Sequence, residues 1–365
     1  MLRNPAAPGE LAFPAEPAAP HLTFILMSGY DALLVLSFGG PEQPDDVLPF
    51  LENVLRGRNV PRERMTEVAG HYYHFGGRSP INGQNRAFVA SLRQDFEEHG
   101  VRLPVYWGNR NWHPFLLDTL RQMHADGVRR VLAFATSAFG SYSGCRQYRE
   151  DIERARAEFG EGAPEIDKLR TFFNHPGFIH AAADRVAAAF ATLAEADRAL
   201  ARLIFTAHSV PTSMAEGSPY VSQLEEACRL VGEAGEHRKW ELAYQSRSGP
   251  PGQPWLGPDI NDCLRQLGSE GVRNVVVAPI GFLSDHMEVV YDLDTEAQAT
   301  ARDAGIRVVR AGTVGTHPRF VEAVRELVLE RLDPSAERRA LGNLEPSPDE
   351  CRPGCCPSPA RPPRT

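Results

Sequence analysis

Short runs of β-branched and large apolar residues alternate along the chain with longer amphipathic segments. The runs at 32–38 (ALLVLSF), 104–109 (PVYWGN), 129–136 (RRVLAFAT), 202–207 (RLIFTA), 241–246 (ELAYQS), 274–280 (NVVVAPI) and 307–312 (RVVRAG) predict strands. Continuous apolar stretches of this length suit a sheet covered on both faces. Helical periodicity over 85–99, 115–126, 178–197, 220–234, 259–269, 286–303 and 318–332 fills the intervals. Such alternation predicts an α/β fold with mostly parallel sheets.

The pattern also repeats. DGVRRVLAFATSAF (126–139) parallels EGVRNVVVAPIGFL (270–283), and LLVLSFGGP (33–41) parallels LIFTAHSVP (203–211). Between those pairs, VYWGNRNWHP (105–114) occupies the place that AYQSRSGPPGQPW (243–255) takes in the second half. Two similar doubly wound halves meeting at a cleft are therefore expected, over 29–175 and 176–317, behind a disordered extension at 1–28. Residues 333–365 hold eight prolines and almost no large apolar side chain, so this tail cannot order itself through burial and needs some other attachment.

Composition narrows the function. With 365 residues, 42% hydrophobic and 24% charged, the chain can build about two domains with real cores. A net charge of −8 with no dense Lys/Arg segment excludes a nucleic-acid partner and leaves a small molecule or a metal. The sequence contains no apolar run long enough to span a bilayer, and LTFILM (22–27) is too short for an export signal, so the expected location is cytoplasmic. Met27 is a plausible alternative start. Of six cysteines, Cys145, Cys228 and Cys263 lie far apart and Cys351, Cys355 and Cys356 crowd into CRPGCC. That is no disulfide framework; metal or redox duty fits the tail better.

In open parallel sheets, ligands bind beyond the carboxyl ends of the strands. His208 directly follows RLIFTA, and Asp285, His286 and Glu288 directly follow NVVVAPIGFL, so both groups face one crevice. Alone, His208 reads as a hydrogen-bonded structural residue. In SDHMEVVYDLDTE (284–296), Ser284 or Asp285 suits a helix N-cap, and Glu288, Asp292 and Glu296 recur every four residues as a stripe. Alone, that stripe is a solvated acidic face; beside an imidazole, its mutually repelling oxygens suit a divalent cation held loosely and passed along. A closed zinc site would need fixed Cys/His spacing, which this stretch lacks. SFGGP (37–41) is no phosphate loop, since Pro41 has no amide donor, and TAHSVP lacks the glycine-flanked elbow of a hydrolase nucleophile.

Five blocks, LLVLSFGGP, FGGRSPING (75–83), TAHSVP, QSRSGPPGQPWLGP (245–258) and PIGFLSDHMEVVYDLDTE (279–296), resemble the ferrochelatases in order and content over roughly 30–332. The resemblance implies the class II chelatase fold: two flavodoxin-like halves with parallel sheets, a central porphyrin cleft, and the helix 318–332 packing back on the first half. It implies a lyase that inserts ferrous iron, with His208 accepting pyrrole protons or ligating the metal and Glu288 facing it. Asp292 and Glu296 would continue the metal path, with Asp285 and His286 behind them.

Trp255 resembles an aromatic lining the porphyrin pocket, and Arg56, Arg58, Ser79 and Tyr142 fall in the propionate-binding region. Phe38 stands where many bacterial relatives have Tyr, so metal ligation from that face is not expected. Cys145, Cys351, Cys355 and Cys356 match the count of the branch that carries a [2Fe–2S] cluster, although four thiolates also satisfy zinc. Cys228 and Cys263 read as buried spare thiols. The resemblance points to coproporphyrin III, giving coproheme, rather than protoporphyrin IX. A cobalt or nickel tetrapyrrole chelatase and a non-catalytic haem carrier are the alternatives. Expected partners are the porphyrin, ferrous iron and a downstream haem-pathway enzyme, and the expected state is a monomer.

Overall fold

The computed structural model describes residues 29–57, 60–237, 239–249 and 252–358; the expectations for 1–28 and for Arg58 lie outside them. The strands are β1 (Ala32–Ser37), β2 (Val105–Asn109), β3 (Arg130–Ala135), β4 (Glu165–Lys168), β5 (Arg202–His208), β6 (Trp240–Gln245), β7 (Asn274–Ala278) and β8 (Arg307–Arg310). They form two four-stranded parallel sheets in the orders β2-β1-β3-β4 and β6-β5-β7-β8. The identical orders bear out the α/β expectation and the internal repeat. β1 is buried at every position, as a central parallel strand covered on both faces requires.

Each sheet buries an outer face under its own helices. Leu116, Leu120, Met123, Tyr148 and Ile152 cover the first. Ile260, Leu264, Leu267, Val289 and Leu293 cover the second. The inner faces share one core that runs through both halves, from Leu33 and Phe134 to Phe205 and Val276. Helix Pro318–Leu332 closes it: Phe320 stacks on Phe88 at 5.5 Å and meets Phe172 at 5.8 Å and Phe178 at 6.2 Å. Among the described residues no helix is long and apolar enough to cross a membrane.

Four details depart from the sequence reading. β4 (EIDK) is a polar edge strand whose composition hides it. Helices Val47–Val54, Arg62–His74 and Gln147–Phe159 were not predicted. The helix expected over 178–197 ends at Ala191, where the Arg198 side chain donates to the carbonyls of Ala191 and Leu193. The helix expected over 286–303 is an α-helix (Met287–Tyr291), a π-turn (Asp292–Glu296) and a second α-helix (Ala297–Asp303).

The proline-rich tail is attached mainly by hydrogen bonds, with Leu341 packed against the shared core. Asn174 donates to the carbonyl of Leu344 (2.7 Å), the Leu341 amide donates to that of Asn174 (2.9 Å), and the Asn343 amide donates to Glu226 (2.6 Å). Thr171 and Ser347 share a buried hydroxyl contact at 2.6 Å. The buried Arg170–Glu330 ion pair (2.7 Å) also donates to the carbonyl of Arg339.

Candidate active site

The repeat brings the chemistry together. β5 ends in His208, and β7 runs into a loop that crosses β5 at Gly281, whose amide donates to the Thr206 carbonyl (3.0 Å). A Cβ at Gly281 would lie 2.7 Å from Ala207 Cα, so only glycine allows this crossing. The crossing delivers the acidic helix to the end of β5. There His208 Nε2 stands 3.5 Å from Glu288 Oε1, and His286 Nδ1 stands 3.7 Å from Glu288 Oε2.

The carbonyl of Ser209 accepts from His208 Nδ1, which leaves Nε2 to face Glu288. The Tyr220 hydroxyl donates to the His208 carbonyl at 3.0 Å. Burial opposes the charge on His208, but Glu288 outweighs it, helped by the Ser209 carbonyl and Asp292, and pushes the imidazole up to about 9. Burial likewise opposes the charge on Glu288, yet His208 and then His286 hold it down to about 2. Asp292 behaves oppositely: burial raises it to about 7, against the Ser246 hydroxyl and with the help of Glu288 and Glu296. Burial and Asp259 raise Glu296 as well. An ionised carboxylate at the inner end is thus followed by a neighbour that takes and gives up protons near neutrality.

The π-turn keeps these groups in line. In a pure α-helix, residues four apart drift about 40° around the axis. A π-turn holds one more residue per turn and reverses that drift between Asp292 and Glu296. The N-cap is His286, without a side-chain hydrogen bond, rather than Ser284 or Asp285. Asp285 cannot cap because its carboxylate accepts from Arg310 at 3.0 Å and its amide donates to Gln84 at 2.8 Å.

Several supports were invisible in the sequence reading. Gln245, buried at the end of β6, donates to the Glu288 carbonyl (2.6 Å) and to Asp292 (3.5 Å). The next residue, Ser246, adopts a left-handed φ of 62° and donates its hydroxyl to Asp292. From the first half, helix Arg62–His74 lies against the acidic helix: His71 stacks on Tyr291 with centroids 3.7 Å apart, and burial, helped by Glu288, holds the Tyr72 hydroxyl well above the usual tyrosine range. The imidazole- and aromatic-rich HYYHF stretch was the available signal.

The remaining candidates are spread more widely. Phe38 follows β1 as His208 ends β5, is 37% exposed, and carries the Arg110 guanidinium 5.7 Å from its ring centroid. Trp255 pairs across an isolated bridge with Pro211, close after His208, and its buried Nε1 has no hydrogen-bond partner among the described residues. Ser79 is buried at the start of helix Ile81–Glu98, Tyr142 donates to Glu150 (3.0 Å), and Arg56 is exposed beside Asn53.

Cys145 occupies the π-turn Tyr142–Arg146, and the tail returns to it. Electrostatic influence links Cys145 with Cys351, Cys351 with Cys355, and Cys355 with Cys356. Cys356 adopts a left-handed φ of 45° and is buried, whereas Cys355 is half-buried. Cys351, chiefly, lowers the pKa of the Cys145 thiol, and burial with the other thiols pushes Cys356 up to about 12. Among the described residues no group of three or more His, Cys, Asp or Glu side chains is placed to hold a metal ion. Cys228 and Cys263 are buried in helices.

The ferrochelatase family profile matches residues 30–332, which include both sheets and the acidic helix. The chain belongs to the ferrochelatase family. Its relatives include a ferrochelatase of Rhodopirellula baltica, 56% identical over 92% of this chain and 95% of that one. A coproporphyrin III ferrochelatase of Streptomyces griseus is 56% identical over 90% and 94%, and another from Nocardia farcinica is 52% identical over 91% and 98%. Among solved structures, SirB from Bacillus subtilis with Fe3+ shares the fold, with a TM-score of 0.51 at 11% identity over 86% of this chain and 99% of that one. This ferrochelatase is therefore a lyase that inserts iron into a porphyrin.

Proposed function

We propose that this ferrochelatase inserts ferrous iron into coproporphyrin III to give coproheme, as a cytoplasmic monomer in haem biosynthesis. The observation that carries the reading is the His208–Glu288 pair, 3.5 Å apart at the carboxyl end of the central strand of the second sheet. Insertion exchanges one Fe2+ for two pyrrole N–H protons, so it needs a proton acceptor on one face of the macrocycle and anionic oxygens for the metal. His208 Nε2 is the acceptor, held in one tautomer by the Ser209 carbonyl. Glu288 meets the iron, and Asp292 and Glu296 form the outer steps of its path. Iron approaching Glu288 takes up the negative charge that stabilises imidazolium, so His208 releases its Nε2 proton to solvent and the neutral ring then receives a pyrrole proton. Asp285 and His286 hold Glu288 in place.

Phe38 and Trp255 line the macrocycle, and Arg56, Arg58, Ser79 and Tyr142 serve its propionates. Coproporphyrin III has four such groups where protoporphyrin IX has two, and the named coproporphyrin III relatives support the larger set. Metallation of the two porphyrins with ferrous iron, followed side by side by absorbance, tests this. The proposal requires faster coproporphyrin III turnover and fails if protoporphyrin IX is preferred. A downstream haem-pathway enzyme is the expected recipient of the product.

We also infer that Cys145, Cys351, Cys355 and Cys356 hold a [2Fe–2S] cluster. What supports the reading is the donor chemistry: four thiolates are what such a cluster needs, and the tail brings Cys351, Cys355 and Cys356 under the electrostatic influence of one another and of Cys145. When bound, the cluster supplies one-electron redox chemistry outside the porphyrin cleft. Visible absorption of aerobically purified protein distinguishes it from colourless zinc.

A further inference from the structure

The segment 285–296 carries five carboxylates, but only three lie on the stripe of Glu288, Asp292 and Glu296. The other two are tied to one cation. Arg310, at the end of β8, donates to Asp294 through Nε (2.7 Å) and Nη2 (2.9 Å), a bidentate fork, and to Asp285 through Nη1 (3.0 Å) and Nη2 (3.5 Å). Its side chain is 17% exposed. Asp285 lies two residues before the helix and Asp294 sits in the middle of the π-turn, so one guanidinium grips the segment on both sides of Glu288 and Asp292. The Asp285 amide also donates to Gln84 of the first half (2.8 Å), and Thr313 Oγ1 reaches the Asp285 carboxylate at 3.5 Å. A continuous strut therefore runs from the first half through Asp285 and Arg310 to the π-turn.

This strut has a mechanical task. A π-turn is less stable than the α-helix around it and persists where its surroundings over-determine it. Here Ser246 holds it from the cleft side through Asp292, and Arg310 holds it from the opposite side through Asp294. We propose that Arg310 is a positioning residue for iron insertion, fixing the π-turn and hence the line of Glu288, Asp292 and Glu296 along which ferrous iron travels. The proposal rests on reading those three carboxylates as the iron-facing set. Arg310 reaches iron only through Asp285 and Asp294, and its second effect is to neutralise these two, so that the negative field is concentrated on the stripe.

Geometry and field make opposite predictions, which allows a decisive test. Removing a positive charge beside an acidic path strengthens cation attraction, whereas releasing the π-turn weakens delivery. Arg310→Gln removes charge and fork together. Arg310→Lys keeps the charge but cannot bridge two carboxylates bidentately. Asp294→Asn removes half of the clamp while Asp285 still pairs the arginine, which protects the fold.

Steady-state insertion with ferrous iron and coproporphyrin III is measured for each variant, with porphyrin binding followed by Soret titration. The KM for ferrous iron rises about tenfold or more in Arg310→Gln, comparable to losing the partner of a metal ligand. It also rises in Arg310→Lys and, less, in Asp294→Asn, while the KM for porphyrin stays within about twofold of wild type. An unchanged or lower KM for iron in Arg310→Gln, with Arg310→Lys resembling wild type, overturns the proposal. Glu288→Gln is run beside them: if it inserts iron normally, the underlying site reading fails instead.

Discussion

Replacing Glu288 by Gln removes the charge but not the bulk next to His208, and the response of the imidazole can be estimated. At the observed 3.5 Å, two unit charges attract by about 1 kcal/mol in bulk water and about 5 kcal/mol at an effective dielectric near 20. The side chains are 31% and 49% exposed, so solvent screening places the pair toward the lower end. At about 1.4 kcal/mol per pH unit, the His208 midpoint falls by about one to two units from its position near 9. Because the pKa of His208 is raised by folding, its share of the pair's stability is complete below its ordinary value of 6.5 and fades as pH rises through 9. Glu288, depressed by folding, contributes above its ordinary 4.5 and loses its share as pH falls towards 2. Glu288→Gln therefore destabilises the protein most between pH 4.5 and 6.5 and hardly at all above 9. NMR titration of the His208 ring in both proteins is the direct assay. A His208 midpoint that does not move refutes the electrostatic coupling and, with it, the control of proton acceptance by the carboxylate.

Other consequences are equally concrete. Ser246→Ala removes the hydroxyl that holds Asp292 down, so the acid limb of the pH–kcat profile moves to higher pH; a profile identical to wild type contradicts that role. Phe320→Ala empties the aromatic cluster that joins the last helix to the core and lowers unfolding free energy by about 3–5 kcal/mol in urea denaturation. Arg170→Met leaves Glu330 charged and buried and costs about 3–5 kcal/mol, most of it regained when Glu330→Leu is added.

Much of the architecture was legible because parallel strands covered on both faces leave continuous apolar runs, as ALLVLS and NVVVA do. β4 was not, because a polar edge strand such as EIDK has no such run, and the helix with QYREDIERARAEF is too polar for its short apolar stripe to stand out. His208 and the acidic cluster could be assigned to one crevice from strand order, since the repeat places both at carboxyl ends. The supports could not. Ser246 acts through a left-handed backbone, Arg310 through a fork spanning two carboxylates, and the π-turn through an extra residue per turn that a period-four pattern cannot show. The N-cap was misassigned for a related reason: Asp285 has the right chemistry, but tertiary partners had already claimed it. The tail lacked a core signal because its attachment rests largely on hydrogen bonds to and from its backbone, which leave no trace in hydropathy.

Anaerobic iron insertion into coproporphyrin III by the wild type and by His208→Ala, with porphyrin binding monitored in the same samples, bears most directly on the central role given to His208. The wild type forms coproheme, whereas the variant binds the porphyrin with its Soret shift intact and leaves it unmetallated. Insertion by His208→Ala at the wild-type rate contradicts the account.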